Sequence, residues 1–69
     1  MSVYRVTDII GTSKKGWEEA AKEALQAAAG SLRELRVAEV VEQDLTLDDE
    51  GKIDLFRIKL RVSFKYDKQ

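Results

Sequence analysis

Ile53-Asp54-Leu55-Phe56-Arg57-Ile58-Lys59-Leu60-Arg61-Val62-Ser63-Phe64-Lys65 decides the fold. Phe56, Ile58, Leu60, Val62 and Phe64 alternate strictly with Arg57, Lys59, Arg61, Ser63 and Lys65. Side chains of a strand point alternately to its two faces, so this period of two predicts a long strand over 53–65 with an apolar face for a helix and a charged face opposite.

Upstream, Asp48-Asp49-Glu50-Gly51 is a turn, rich in the residue types whose side chains or missing Cβ suit tight chain reversal. Before it, Val37 to Leu47 reads as a second long strand with polar residues in its middle, and Leu32 and Leu35 sit in a short connection. Earlier still, Trp17, Ala20, Ala21, Ala24, Leu25 and Ala28 recur at helical spacing, with Glu18, Glu19, Lys22, Glu23 and Gln26 on the other face. Gly30 supplies a helix stop, and Gly11-Thr12-Ser13 a start, which places the helix onset near Lys14. Val3 to Ile10 is a first strand, with Tyr4, Val6 and Ile10 on one side, Arg5 and Thr7 on the other, and Asp8 the polar exception on the apolar side.

The order is β-α-β-β, an α+β fold in which a three-stranded antiparallel sheet wraps on one helix, as a single domain over 3–66. The tail Tyr66-Asp67-Lys68-Gln69 is expected to fray. The two later strands would run about 35–40 Å, beyond what one helix of about four turns can cover. The helix face is mostly alanine, which permits close approach to the sheet but buries little area for each residue.

A chain of 69 residues buries too little surface to be comfortably stable alone. It has no Cys and no His, so neither a disulfide framework nor a Cys/His zinc site can reinforce it, and self-assembly is the device left. Twelve basic against thirteen acidic residues, without a block of one sign, argue against nucleic acid as a partner. The N-terminus lacks the order of a signal peptide and no apolar run could span a bilayer, so no membrane is involved and a cytoplasmic location is expected.

The same absence of His and Cys removes the commonest general base and thiol nucleophile, so no enzyme is expected. Glu18/Glu19 suit the positive end of a helix and Asp48/Asp49/Glu50 a solvated turn. Aligning Gly51 with the glycine of a calcium-binding helix-loop-helix puts Thr46 and Arg57 where acids are needed, so the turn is not such a loop. Arg57, Lys59, Arg61 and Lys65 have two readings: a surface for a phosphate-bearing ligand, or partners for Glu39, Glu42 and Asp44 across the hairpin. Trp17, on the apolar helix face, reads as a core or subunit-interface anchor rather than a ligand-stacking ring.

Taken together, Ile9-Ile10-Gly11-Thr12-Ser13, Trp17-Glu18 with its alanine-rich helix, Val37 to Gln43, and Arg57 to Phe64 resemble the dodecin family in order and spacing, from about Tyr4 to Lys65. The resemblance implies a homododecamer, a hollow sphere with tetrahedral symmetry, and small-ligand binding or storage. Dodecins stack a flavin on a tryptophan near the start of the second strand and hydrogen-bond it with a glutamine of the third; those positions correspond here to Val37 and Arg57. Val37 offers no π face, so a stacked flavin loses roughly 0.5–1.5 kcal/mol per ring contact. With Val37, Glu42-Gln43-Asp44 and Val62-Ser63-Phe64 the chain looks closer to a calcium-binding subgroup. Calcium takes six to eight oxygens, more than one subunit's Asp8, Glu42 or Asp44 would supply, and Asp8 and Asp44 are the candidate ligands. Calcium binding in a hollow dodecamer leads; storage of FMN or riboflavin in a modified pocket is the alternative, and a shell without a small ligand is a third reading.

Overall fold

The computed structural model describes residues 3–29 and 35–66. Strand β1 (Val3–Ser13) leads to helix α1 (Trp17–Ala29), strand β2 (Leu35–Leu47) and strand β3 (Ile53–Tyr66). β3 is central and antiparallel to β1 on one side and β2 on the other. β1 and β2 therefore run parallel with β3 slotted between them, and α1 belongs to the crossover that joins them. This is the β-α-β-β, α+β arrangement that the alternation in 53–65 predicts.

Ile58, Leu60 and Val62 are the buried side chains of β3, and they meet Ala20 and Ala24 of α1. Ile9, Trp17, Ala21 and Leu25 close the margin of this small core. The indole of Trp17 packs edge-on against Phe56, with ring centroids 5.2 Å apart and an interplanar angle of 82°. Its N–H donates to the Asp44 carbonyl at 3.1 Å, so Trp17 ties α1 to β2 as well as to β3.

Four boundaries differ from the sequence reading, each for a physical reason. Gly11-Thr12-Ser13 does not interrupt β1 but continues it, paired with Ile58, Arg57 and Phe56. Gly11 has no positive φ. A Cβ there would run into the Ala20 carbonyl oxygen and lie 2.9 Å from the Ala24 Cβ, so glycine is required for close approach of strand and helix, not for an unusual turn. The helix consequently starts at Trp17 rather than near Lys14, after Ser13 Oγ has accepted the Lys15 N–H at 2.9 Å, and the Gly16 carbonyl accepts the Ala20 N–H at 3.0 Å. Leu35 and Tyr66 belong to strands, since the pairing reaches both: Leu35 with Phe64 of the central strand, and Tyr66, itself on the central strand, with Val3 of β1. The expected stop at Gly30, Leu32 in the connection and the tail from Asp67 lie outside the described residues.

The turn at Asp48–Gly51 is as expected. Asp48 Oδ1 accepts from the Glu50 and Lys52 N–H groups at 2.9 Å, the Asp48 carbonyl accepts from Gly51, and Gly51 takes φ 81°.

The apolar side of β1 faces away from α1. Tyr4, Val6 and Ile10 are more than half exposed, as are Val37 and Val40 of β2. The chain exposes 5350 Å², against about 4400 Å² for a compact monomer of this mass. Its radius of gyration is 14.3 Å, where a compact chain of this length would have about 11 Å. The long hairpin of β2 and β3 leaves Val37, Val40, Leu45, Leu47 and Ile53 exposed, apolar surface of the kind that a second chain can cover.

Candidate functional site

The sheet face opposite α1 collects the charged residues. On β3, Arg57, Lys59 and Arg61 follow one another at every second position; Asp8 of β1 lies opposite Arg61. On β2, Glu39 lies opposite Arg61, Glu42 opposite Lys59 and Asp44 opposite Arg57. Glu39 and the pair Glu42/Asp44 are out of phase in the sequence, and a strict strand would turn them to opposite faces. A β-bulge between Val40 and Glu42 inserts one extra residue and brings all three to the same side.

Two carboxylates are clasped by forked guanidinium groups. Arg57 donates from Nε to Asp44 Oδ1 at 2.8 Å and from Nη2 to Oδ2 at 3.1 Å. Arg61 does the same to Asp8, at 2.9 and 3.2 Å. The Arg61 hydrogen bonds hold the Asp8 carboxyl below the usual aspartate range, against the opposing effect of desolvation and with smaller help from the charges of Arg61 and Lys59. Asp44 is lowered in the same way by Arg57. Each guanidinium in turn holds its proton more tightly, chiefly through the hydrogen bond to its aspartate, with a lesser contribution from Glu42 at Arg57 and from Glu39 at Arg61. Of the cross-strand partners expected for the basic stripe, Asp44 pairs with Arg57, whereas Glu39 and Glu42 form no ion pair within 4 Å among the described residues and Arg61 pairs with Asp8 of β1 instead.

Asp8 and Asp44, the candidate metal ligands, share this face but are not brought together. Their partners stand four residues apart on β3 and the two strands flank it, a separation on the order of 15 Å. Among the described residues no three acidic side chains come together as a metal cluster. Val37 and Arg57 are also apart within one chain: Val37 faces Ser63, about 20 Å along the hairpin from Arg57. Val37 is exposed and Arg57 is committed to Asp44. Within one chain, therefore, neither pair of candidate residues forms a single site.

A second concavity lies on the helix side, an open groove of about 630 Å³ lined by Arg5, Thr7, Ile9, Ala24 and Phe64. The Arg5 guanidinium stands 5.7 Å from the centre of the Phe64 ring, so this cation at the groove already rests on an aromatic face. No described helix is long and apolar enough to cross a membrane.

Comparison with known proteins accounts for the architecture. The family model named Dodecin matches residues 3–67. A curated protein of Mycobacterium tuberculosis, calcium dodecin, is 60% identical over 65 residues, covering 94% of this chain and 90% of its own. The crystal structure of calcium dodecin from the same organism, described as a calcium-chelating antigen with a novel calcium-binding site, superposes with a TM-score of 0.84 at 56% identity, over 99% of this chain and 96% of that one. Dodecin from Streptomyces davaonensis superposes with a TM-score of 0.87 at 37% identity over 97% of each chain. The β-α-β-β arrangement of one helix and three antiparallel strands is thus shared with these proteins, and the chain belongs to the dodecin family.

Proposed function

We propose that this protein is a non-enzymatic calcium-binding dodecin, working in the cytoplasm as a hollow homododecamer whose single domain spans residues 3–66. The observation that carries the reading is the 60% identity, over nearly the whole chain, to a protein named calcium dodecin. Carboxylate oxygens are the hard donors that calcium prefers, and Asp8 and Asp44 supply them, both anionic and both accessible. Neither approaches a full ligand set within one chain, so each site is completed by oxygens of a neighbouring protomer. Assembly is supported separately by the excess exposed surface and the uncovered hairpin.

Flavin storage is not favoured. Val37 gives the ring no aromatic partner and Arg57 has its fork occupied by Asp44. Native mass spectrometry of protein titrated first with calcium chloride and then with FMN tests both readings. The expected result is a twelve-subunit mass that takes up calcium and ignores FMN; uptake of FMN without calcium would overturn the proposal, and a monomer would overturn the assembly.

A further inference from the structure

Helix α1 begins at Trp17, packed on Phe56, and the β2–β3 hairpin runs on beyond that point. Leu45 pairs with Phe56, and Leu47, two residues on and so on the same side, pairs with Ile53. The helix side of the hairpin end therefore carries Leu45, Leu47 and Ile53, which are 37%, 59% and 52% exposed. At the other end of the same side lies the open groove between α1 and the β1–β3 pair, lined by Ile9, Ala24 and Phe64. Phe64 and Ile53 stand eleven residues apart on β3, about 36 Å. We propose that a second copy of this chain joins the two surfaces: the hairpin end of one copy seats in the groove of the next, head to tail. This contact rests on the proposed self-assembly and names two surfaces within it.

The surfaces match in shape and polarity. The groove is a concavity of about 630 Å³ with an aliphatic and aromatic lining, and the hairpin end projects aliphatic side chains that its own chain leaves bare. They match in charge as well. Arg5, at the groove, makes no ion pair among the described residues. The hairpin end carries Asp48, Asp49, Glu50 and Asp54 against Lys52. Asp48 Oδ1 accepts backbone N–H groups of the turn, Glu50 meets Lys52 at 3.4 Å and Asp54 meets Lys14 at 4.0 Å. Asp49 has no ion-pair partner among the described residues, which leaves it to meet the Arg5 of another copy. The area suffices too: the chain exposes about 1000 Å² more than a compact monomer of its mass, and a stable contact draws about 800 Å² from each partner. Because groove and hairpin end are different surfaces at opposite ends of the molecule, each copy offers one of each, and the contact repeats in one direction until a ring closes.

The chain has no cysteine, so introduced thiols report the contact directly. Ala27→Cys sets a thiol at the groove and Leu47→Cys one at the hairpin end, both at exposed positions. A disulfide needs Cα atoms within about 7 Å, so the two thiols cannot bridge within one chain. Head-to-tail contact requires that the two single variants, refolded together and oxidised, give a covalent dimer on a denaturing gel, and that neither alone does. The variant carrying both thiols should give covalent species of three or more copies. Native mass spectrometry supplies the second measurement. Leu47→Glu and Ile53→Glu should keep the far-ultraviolet signal of the fold and lose the wild-type assembly mass; Arg5→Glu and Asp49→Lys should each weaken the assembly and together restore it. Cross-linking of a single variant with itself would mark a two-fold contact and overturn the head-to-tail one. An assembly mass kept by both glutamate variants, with no cross-link in the mixture, would overturn the contact and leave the assembly standing, whereas a wild-type monomer would remove both.

Discussion

Gly11 and the two clasped aspartates are the residues on which most depends. Gly11→Ala sets a methyl against the Ala20 carbonyl and the Ala24 side chain, both held by the helix backbone, so the helix must move off the sheet. The expected cost is about 1–3 kcal/mol, read as a lower denaturant midpoint. Asp8 and Asp44 have folded-state carboxyls lowered below the ordinary value of 3.8 by their arginines. A lowered folded-state value means stability that is fully present above the unfolded value and is lost as pH falls through the folded one. The melting temperature should therefore drop as pH is taken below about 4, and Asp8→Asn with Asp44→Asn should flatten that dependence while lowering stability at neutral pH. The charged stripe of β3 was legible in the sequence as a partner for β2. The Asp8–Arg61 contact was not, because it joins residues 53 positions apart and depends on β1 lying on the far side of β3.

At the scale of the element, the central strand carries the stability. Leu60 is 2% exposed between the two flanking strands and beneath the helix, so Leu60→Ala should cost about 2–5 kcal/mol. In a core of so few buried residues that loss should leave the isolated protomer largely unfolded at room temperature, seen as lost far-ultraviolet strand signal. Exposed Val40 on β2 makes the control: Val40→Ala should be nearly silent in a protomer and costly only in the assembly. The strand and helix identities were legible from periods of two and about 3.6. The helix onset was misplaced because Gly-Thr-Ser is compatible with both a cap and a strand end, and only the partner strand at Phe56 to Ile58 decides between them.

For the molecule as a whole, an exposed surface about 1000 Å² above that of a compact monomer links stability to association. The melting temperature should rise with protein concentration, and scanning calorimetry over a hundredfold dilution series checks this. Calcium should add to it: about 2.7 kcal/mol per site at a free concentration one hundred times the dissociation constant, reversed by a chelator. A melting temperature indifferent to calcium and chelator would count against calcium as the ligand.

The sequence by itself determined the elements, their order, the apolar and charged faces of β3 and the family. Each follows from local periodicity, chain length or the order of motifs, quantities that are read along one strand of text. Tertiary structure alone decided that Gly11 serves helix approach, that the apolar side of β1 faces outward, and that a bulge at Val41 gathers Glu39, Glu42 and Asp44 on one face. It also decided that Asp8 and Asp44 each meet an arginine rather than each other. These outcomes depend on which strand lies in the middle and in what register, and register is fixed by pairing across the sheet, where a shift of one residue reverses every face.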